Sequence, residues 1–106
     1  MPEEDLDRLK QSPLWPHIVA LAPTLPPELD ALGGYEFEAS RFATLNIPVL
    51  LLVGSESPPP LREVTNALAH VVPNARVKEL VGQHHGANLA APELFVSEVA
   101  KFLEGV

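Results

Sequence analysis

The sequence predicts an α/β fold built on a partial parallel sheet, in β-α-β-α order with flanking helices and preceded by several short helices. Three observations carry this. Residues 47–53 form a near-continuous apolar run closed by Gly54. Two amphipathic stretches at helical spacing follow, separated by a second, more mixed strand-like segment. Ahead of them, residues 1–46 are broken by prolines into pieces too short to stand alone.

In that first segment, residues 3–11 read as a charged, weakly amphipathic helical turn or two, stopped by Ser12-Pro13. Leu14, Ile18 and Leu21 recur at helical spacing and predict a short helix through Ala22. Residues 24–27 read as a turn, with Pro27 opening another helix through Leu32 that Gly33-Gly34 ends. One more helical turn is expected over residues 39–45. Isolated helices below ~12–15 residues are marginal in water. These pieces must therefore lie on something larger.

From residue 47 the pattern changes, which places the expected boundary between segments 1–46 and 47–106. An apolar run without alternation suits a parallel strand covered on both faces, with Pro48 at its start, where a missing amide costs least. Residues 61–72 follow as a helix whose stripe is Leu61, Val64, Leu68, Val71 and Val72. Pro73-Asn74 stops it, residues 76–81 form the second strand, and residues 82–91 are expected as a loop. Pro92 opens the last helix, with Phe95, Val99, Phe102 and Leu103 as its stripe. Parallel strands joined by a helix make a crossover unit, yet only two strands are supplied. The segment reads as the end of a sheet begun elsewhere, since a central apolar strand wants neighbours on both edges.

Composition narrows the function classes. The 106 residues suit one small domain or a piece of a larger one. Net charge is −7 and the seven basic residues are scattered singly, so a nucleic-acid partner is not expected. No cysteine is present, which excludes disulfides, thiolate metal sites and a cysteine nucleophile. No apolar run approaches the ~20 residues that cross a bilayer, and the acidic start differs from a secretory signal. A cytoplasmic location without membrane contact is the expectation. The 12 prolines, about twice the typical ~5%, fall where helices begin or loops turn.

Chemistry concentrates in the two turns that follow the two strands. In open parallel sheets ligands bind beyond the carboxyl ends of the strands. The first turn is Gly54-Ser55-Glu56-Ser57-Pro58-Pro59-Pro60 and the second is Gly82-Gln83-His84-His85-Gly86-Ala87. Both open on one rim, which brings a carboxylate and an imidazole near each other. An acid orienting a histidine that serves as general base is the back half of hydrolase triad logic.

At these residues the chain resembles the α/β-hydrolase superfamily in its carboxy-terminal part. That segment often runs apolar strand, Gly-x-x-Asp turn, helix, Pro-Asn-Ala-Arg-like bend, strand, Gly-x-Gly-His turn, then Pro-Glu-x-Phe. The matching residues are Ile47-Pro48 through Gly54, Pro73-Asn74-Ala75-Arg76, Gly82 to His85, and Pro92-Glu93-Leu94-Phe95. The match runs without gaps from Ile47 to Phe102. Residues 1–46, with Trp15 and the 25–29 segment, resemble the end of the helical cap inserted over such sites. The resemblance implies hydrolysis of an ester or similar small-molecule bond, with no cofactor and no metal.

Two departures shape the assignment. Ser57 stands at the usual aspartate position, so Glu56, one residue earlier, is assigned as the acid. His84 replaces the small glycine before the histidine, and the spacing to Pro92 picks His85 as the base, with His84 as the fallback. The Gly-x-Ser-x-Gly nucleophile elbow is absent, and family order places it upstream of acid and histidine. The chain alone is therefore expected to be inactive. Other residues have simpler readings: Ser55 and Ser57 as turn formers, His17 and His70 as structural, Trp15 as a cap anchor before a pocket wall. Adjacent His84 and His85 make an awkward metal pair. The alternative to a hydrolase piece is a non-catalytic remnant that self-associates or binds a partner, or a subunit complementing a second chain.

Overall fold

The computed structural model describes residues 3–106, which form two compact units divided between Phe37 and Glu38. The division falls earlier than the 46/47 change in sequence pattern. Asn74 shows why residues near 46 go with the second unit: its side-chain amide donates to the Asn46 carbonyl oxygen at 3.0 Å.

The first unit is helical. Helix α1 (Glu3–Lys10) carries acids in its first turn and bases in its last, as the helix dipole favours. Two i,i+3 pairs line it, Arg8 with Asp5 at 3.0 Å and Lys10 with Asp7 at 3.4 Å. Helix α2 (Trp15–Leu21) has Pro16 in its first turn and runs into a 3₁₀ turn, Ala22–Thr24. Helix α3 (Leu25–Gly33) starts two residues before the expected Pro27. The first helical amides have no intrahelical partner, so Pro26 and Pro27 both fit there and the expected turn is absorbed into helix. No residue of these helices is fully buried.

The second unit opens with a 3₁₀ turn, Ala39–Arg41, and holds the sheet. Strand β1 (Val49–Gly54) pairs in parallel with β2 (Ala75–Leu80), in register from Val49 opposite Ala75 to Gly54 opposite Leu80. Pro48 falls just outside β1, and Asn74 accepts at its carbonyl from the Val49 amide at 3.2 Å. Between the strands lies α4 (Pro59–Val71), which begins earlier than Leu61 because Pro59 and Pro60 occupy first-turn positions where no amide is needed. The expected loop over residues 82–91 contains one helical turn, α5 (Ala87–Ala90). The last helix, α6, spans Pro92–Glu104.

Side chains at opposed positions of the two strands share a face, and the faces alternate. Arg62 of α4 pairs with Glu79 at 3.1 Å, placing α4 over the face that also carries Val49, Leu51, Val53 and Val77. Arg76 lies 5.3 Å from the centre of the Phe102 ring, placing α6 over the other face, with Leu50 and Leu52. Covering is incomplete. β1 is half-buried from Val49 to Val53, not enclosed as its apolar run predicts. Val72, Leu80 and Ala87 are the buried apolar residues among those described, whereas Leu61 and Val64 of the α4 stripe remain exposed. Among the described residues, the sheet has two strands and no helix is long and apolar enough to cross a membrane.

Candidate functional site

The register fixes the rim. Because Gly54 lies opposite Leu80, both strands end at the same level and their turns emerge side by side. Main-chain bonds then lock the turns together. The Leu80 carbonyl accepts from the Ser55 amide at 3.0 Å and from the Gln83 amide at 3.2 Å. The Glu56 amide donates to the Gln83 carbonyl at 2.9 Å, and the Gly82 amide donates to the Ser55 hydroxyl oxygen at 2.7 Å.

Two glycines make this approach feasible. Gly82 has φ +77°, in the left-handed region that favours glycine, and turns the chain back toward the first turn. At Gly54 a Cβ would collide with the Gln83 carbonyl group and stand 2.8 Å from the His84 oxygen. The second turn thus lies directly against the end of β1. Arg62 adds a further tie from α4, donating to the Ser55 carbonyl oxygen at 2.6 Å.

The predicted site residues lie on this rim. Glu56 and His85 are both exposed, as is His84, while Ser57 is buried at 6% exposure. The fold brings the two turns together but does not join the two functional side chains. The nearest bonded partner of the Glu56 carboxylate is the neighbouring Ser55 hydroxyl, at a long 3.5 Å, and no ion pair links Glu56 to a histidine among the described residues. Open, solvated side chains gain little from such a pair, because water screens the attraction. The arrangement can present an acid and a base to a third group. It does not by itself form a charge-relay contact.

The burial of Ser57 gives a physical reason for its identity. A carboxylate at that position, without a partner, would carry a large desolvation cost. Sequence reasoning passed over Ser55 as a local turn former, yet its hydroxyl is bonded to Gly82, 27 residues away. It also passed over Gly54 and Arg62. Only the strand-closing glycine left a signal, since glycine at a strand end marks close backbone approach. His17 and His70, read as structural, are exposed on α2 and α4. Among the described residues, no three of His, Asp or Glu cluster to hold a metal ion. Two surface cavities lie away from the rim, one of about 220 Å³ lined by Leu50, Arg76, Lys78, Glu98, Lys101 and Phe102, the other beside Pro92 and Val96.

Comparison with known proteins supplies a structural neighbour. No protein-family model matches the chain, and no curated protein matches it. Among solved structures, the chain is similar to an α/β-hydrolase from Sphaerobacter thermophilus DSM 20745, with 32% identity and a TM-score of 0.78. The match covers 97% of this chain and 39% of that one, so the chain spans about two fifths of the hydrolase's length. With its two parallel strands and flanking helices, the chain carries part of an α/β-hydrolase fold, consistent with the carboxy-terminal portion of that superfamily.

Proposed function

We propose that the chain supplies the acid and the histidine of a serine hydrolase acting on an ester or similar small-molecule bond, while the nucleophile comes from sequence outside these residues. The observation that carries this reading is the bonding of the Glu56 turn to the His85 turn at the carboxyl ends of two parallel strands. His85 would take the proton from an incoming serine hydroxyl and return it to the leaving group. Glu56 would hold the imidazole's orientation and stabilise its positive form. His84 is the fallback base. The exposure of both side chains fits a site whose remaining walls are provided by other strands. No cofactor enters the scheme, and cytoplasmic action belongs to the same reading.

The test is complementation. The chain should be joined behind an α/β-hydrolase amino-terminal part that carries Gly-x-Ser-x-Gly, and assayed with a p-nitrophenyl ester. The chain alone should show no turnover above free imidazole, and the joined protein should hydrolyse the ester. His85→Ala should abolish that activity, and Glu56→Gln should lower kcat by about 10⁴, equivalent to ~5 kcal/mol. Full activity with His85→Ala would refute the assignment. A second reading, a subunit that complements a separate chain, is favoured by the apolar residues left exposed on α3, α4 and α6. It predicts activity on mixing without covalent joining.

A further inference from the structure

We infer that the cavity between β2 and α6 is a binding site for a small dianion of the phosphate class, held by Arg76, Lys78 and Lys101. The inference is independent of the catalytic reading, because this cavity lies away from the rim.

It starts from two periodicities that meet. Arg76 and Lys78 are two residues apart on β2 and so share a face, opposite Leu50 and Leu52 of β1. Glu98, Lys101 and Phe102 are spaced i, i+3 and i+4 on α6 and so share one side of the helix. The Arg76 guanidinium, 5.3 Å from the centre of the Phe102 ring, brings the two sets together. Leu50 and Phe102 add apolar wall to the charged lining of a cavity of about 220 Å³. Its charges all come from two elements of this chain that touch each other.

Charge selects the ligand. In the whole chain acids outnumber bases, 14 to seven. Along this cavity the balance reverses: three bases meet one acid, a surplus of two positive charges. The Glu98 side chain, 13% exposed, is answered by Lys101 at 3.4 Å. Arg76 and Lys78 form no ion pair among the described residues. A surplus of two matches phosphate or a phosphate monoester, which carries about −1.5 to −2 near neutrality. The guanidinium fork fits two oxygens of such an ion, and stacking on Phe102 orients that fork. Lys101, with three donors, can serve Glu98 and the ligand together.

Size and field narrow the ligand further. The cavity is smaller than the ~300–1,000 Å³ typical of sites for drug-sized molecules, so it suits a small ion. An extended polyanion would meet the repulsion of a chain carrying −7, whereas a small ion meets the local surplus.

Titration of the intact ¹⁵N-labelled chain with inorganic phosphate at pH 7.5, at constant low ionic strength, tests the inference. Amide shifts should saturate at residues 76–78 and 98–102, with a dissociation constant of about 1 mM, modest because water screens exposed lysines. Acetate, with a single charge, should bind at least about 10-fold more weakly, and sodium chloride at about 0.5 M should weaken phosphate binding. Glycerol phosphate separates the sources: equal affinity marks a monoester ligand, and a preference for inorganic phosphate marks the free ion. Lys78→Gln should raise the dissociation constant about 10-fold, the equivalent of one charge-assisted hydrogen bond, and Arg76→Gln by at least as much. Lys10→Gln, on α1, should leave it unchanged. If Arg76→Gln loses its circular dichroism, Lys78→Gln decides the matter, because Lys78 is exposed. Shifts that do not saturate, acetate binding as tightly as phosphate, or a dissociation constant unmoved by Lys78→Gln would each overturn the inference.

Discussion

Substituting Gly54 by alanine tests the join between the two turns more directly than any change to a functional side chain. A Cβ at this position would clash with the Gln83 carbonyl oxygen, stand 2.6 Å from the Gln83 carbonyl carbon and 2.8 Å from the His84 oxygen. All three are main-chain atoms, so no side-chain rotation relieves the contact. Non-bonded heavy atoms settle near ~3.5–4.0 Å, so the second turn must retreat by about 1 Å. That movement stretches two bonds, the Glu56 amide to Gln83 at 2.9 Å and the Gly82 amide to Ser55 at 2.7 Å. Each such bond contributes about 0.5–1.5 kcal/mol net, and overpacking strain adds ~1–3 kcal/mol. A loss of roughly 2–6 kcal/mol is expected, a large part of the ~5–15 kcal/mol typical of a domain. Urea unfolding followed by far-ultraviolet circular dichroism should show a midpoint lower by at least about 1 M. Amide shifts in a ¹⁵N correlation spectrum should cluster at residues 54–57 and 82–86. An unchanged midpoint with no shift in the second turn would show that the turns are not in contact and refute the reasoning.

Two further predictions concern the serines of the first turn. Ser55→Ala removes the acceptor of the Gly82 amide and should cost about 0.5–1.5 kcal/mol, with faster hydrogen exchange at Gly82. Ser55→Thr keeps the hydroxyl and should retain most of the protection; equal exchange in the alanine variant would count against the bond. Ser57→Asp places a carboxyl in a site only 6% exposed, where burial should push its pKa above the ordinary ~3.9. The neutral form is then favoured in the folded state, so the penalty is absent below about pH 4 and grows as pH rises. Melting temperatures of variant and native protein should converge near pH 3.5 and separate by pH 7.5, and a constant difference would contradict the burial.

The sequence determined the sheet-bearing half in its essentials. An apolar run closed by Gly54, an amphipathic stretch and a second strand admit few arrangements other than parallel strands joined by a helix, because strand and helix periods bury different residues. Prolines marked the helix starts, though they blurred them by up to two residues at α3 and α4. Proline fits any first-turn position, so it locates a beginning without fixing it. The rim followed too, since turns after parallel strands share one end of the sheet.

The tertiary structure decided how the turns meet. Hydrogen bonds from Glu56 to Gln83 and from Gly82 to Ser55 join residues 27 apart, and no local pattern encodes such partners. It also decided that Glu56 and His85 are exposed and not joined by an ion pair, because side-chain direction on a rim depends on what packs around it. The incomplete covering of β1 has the same origin. An apolar sequence states what a strand would bury, whereas the neighbours that bury it are a property of the whole sheet.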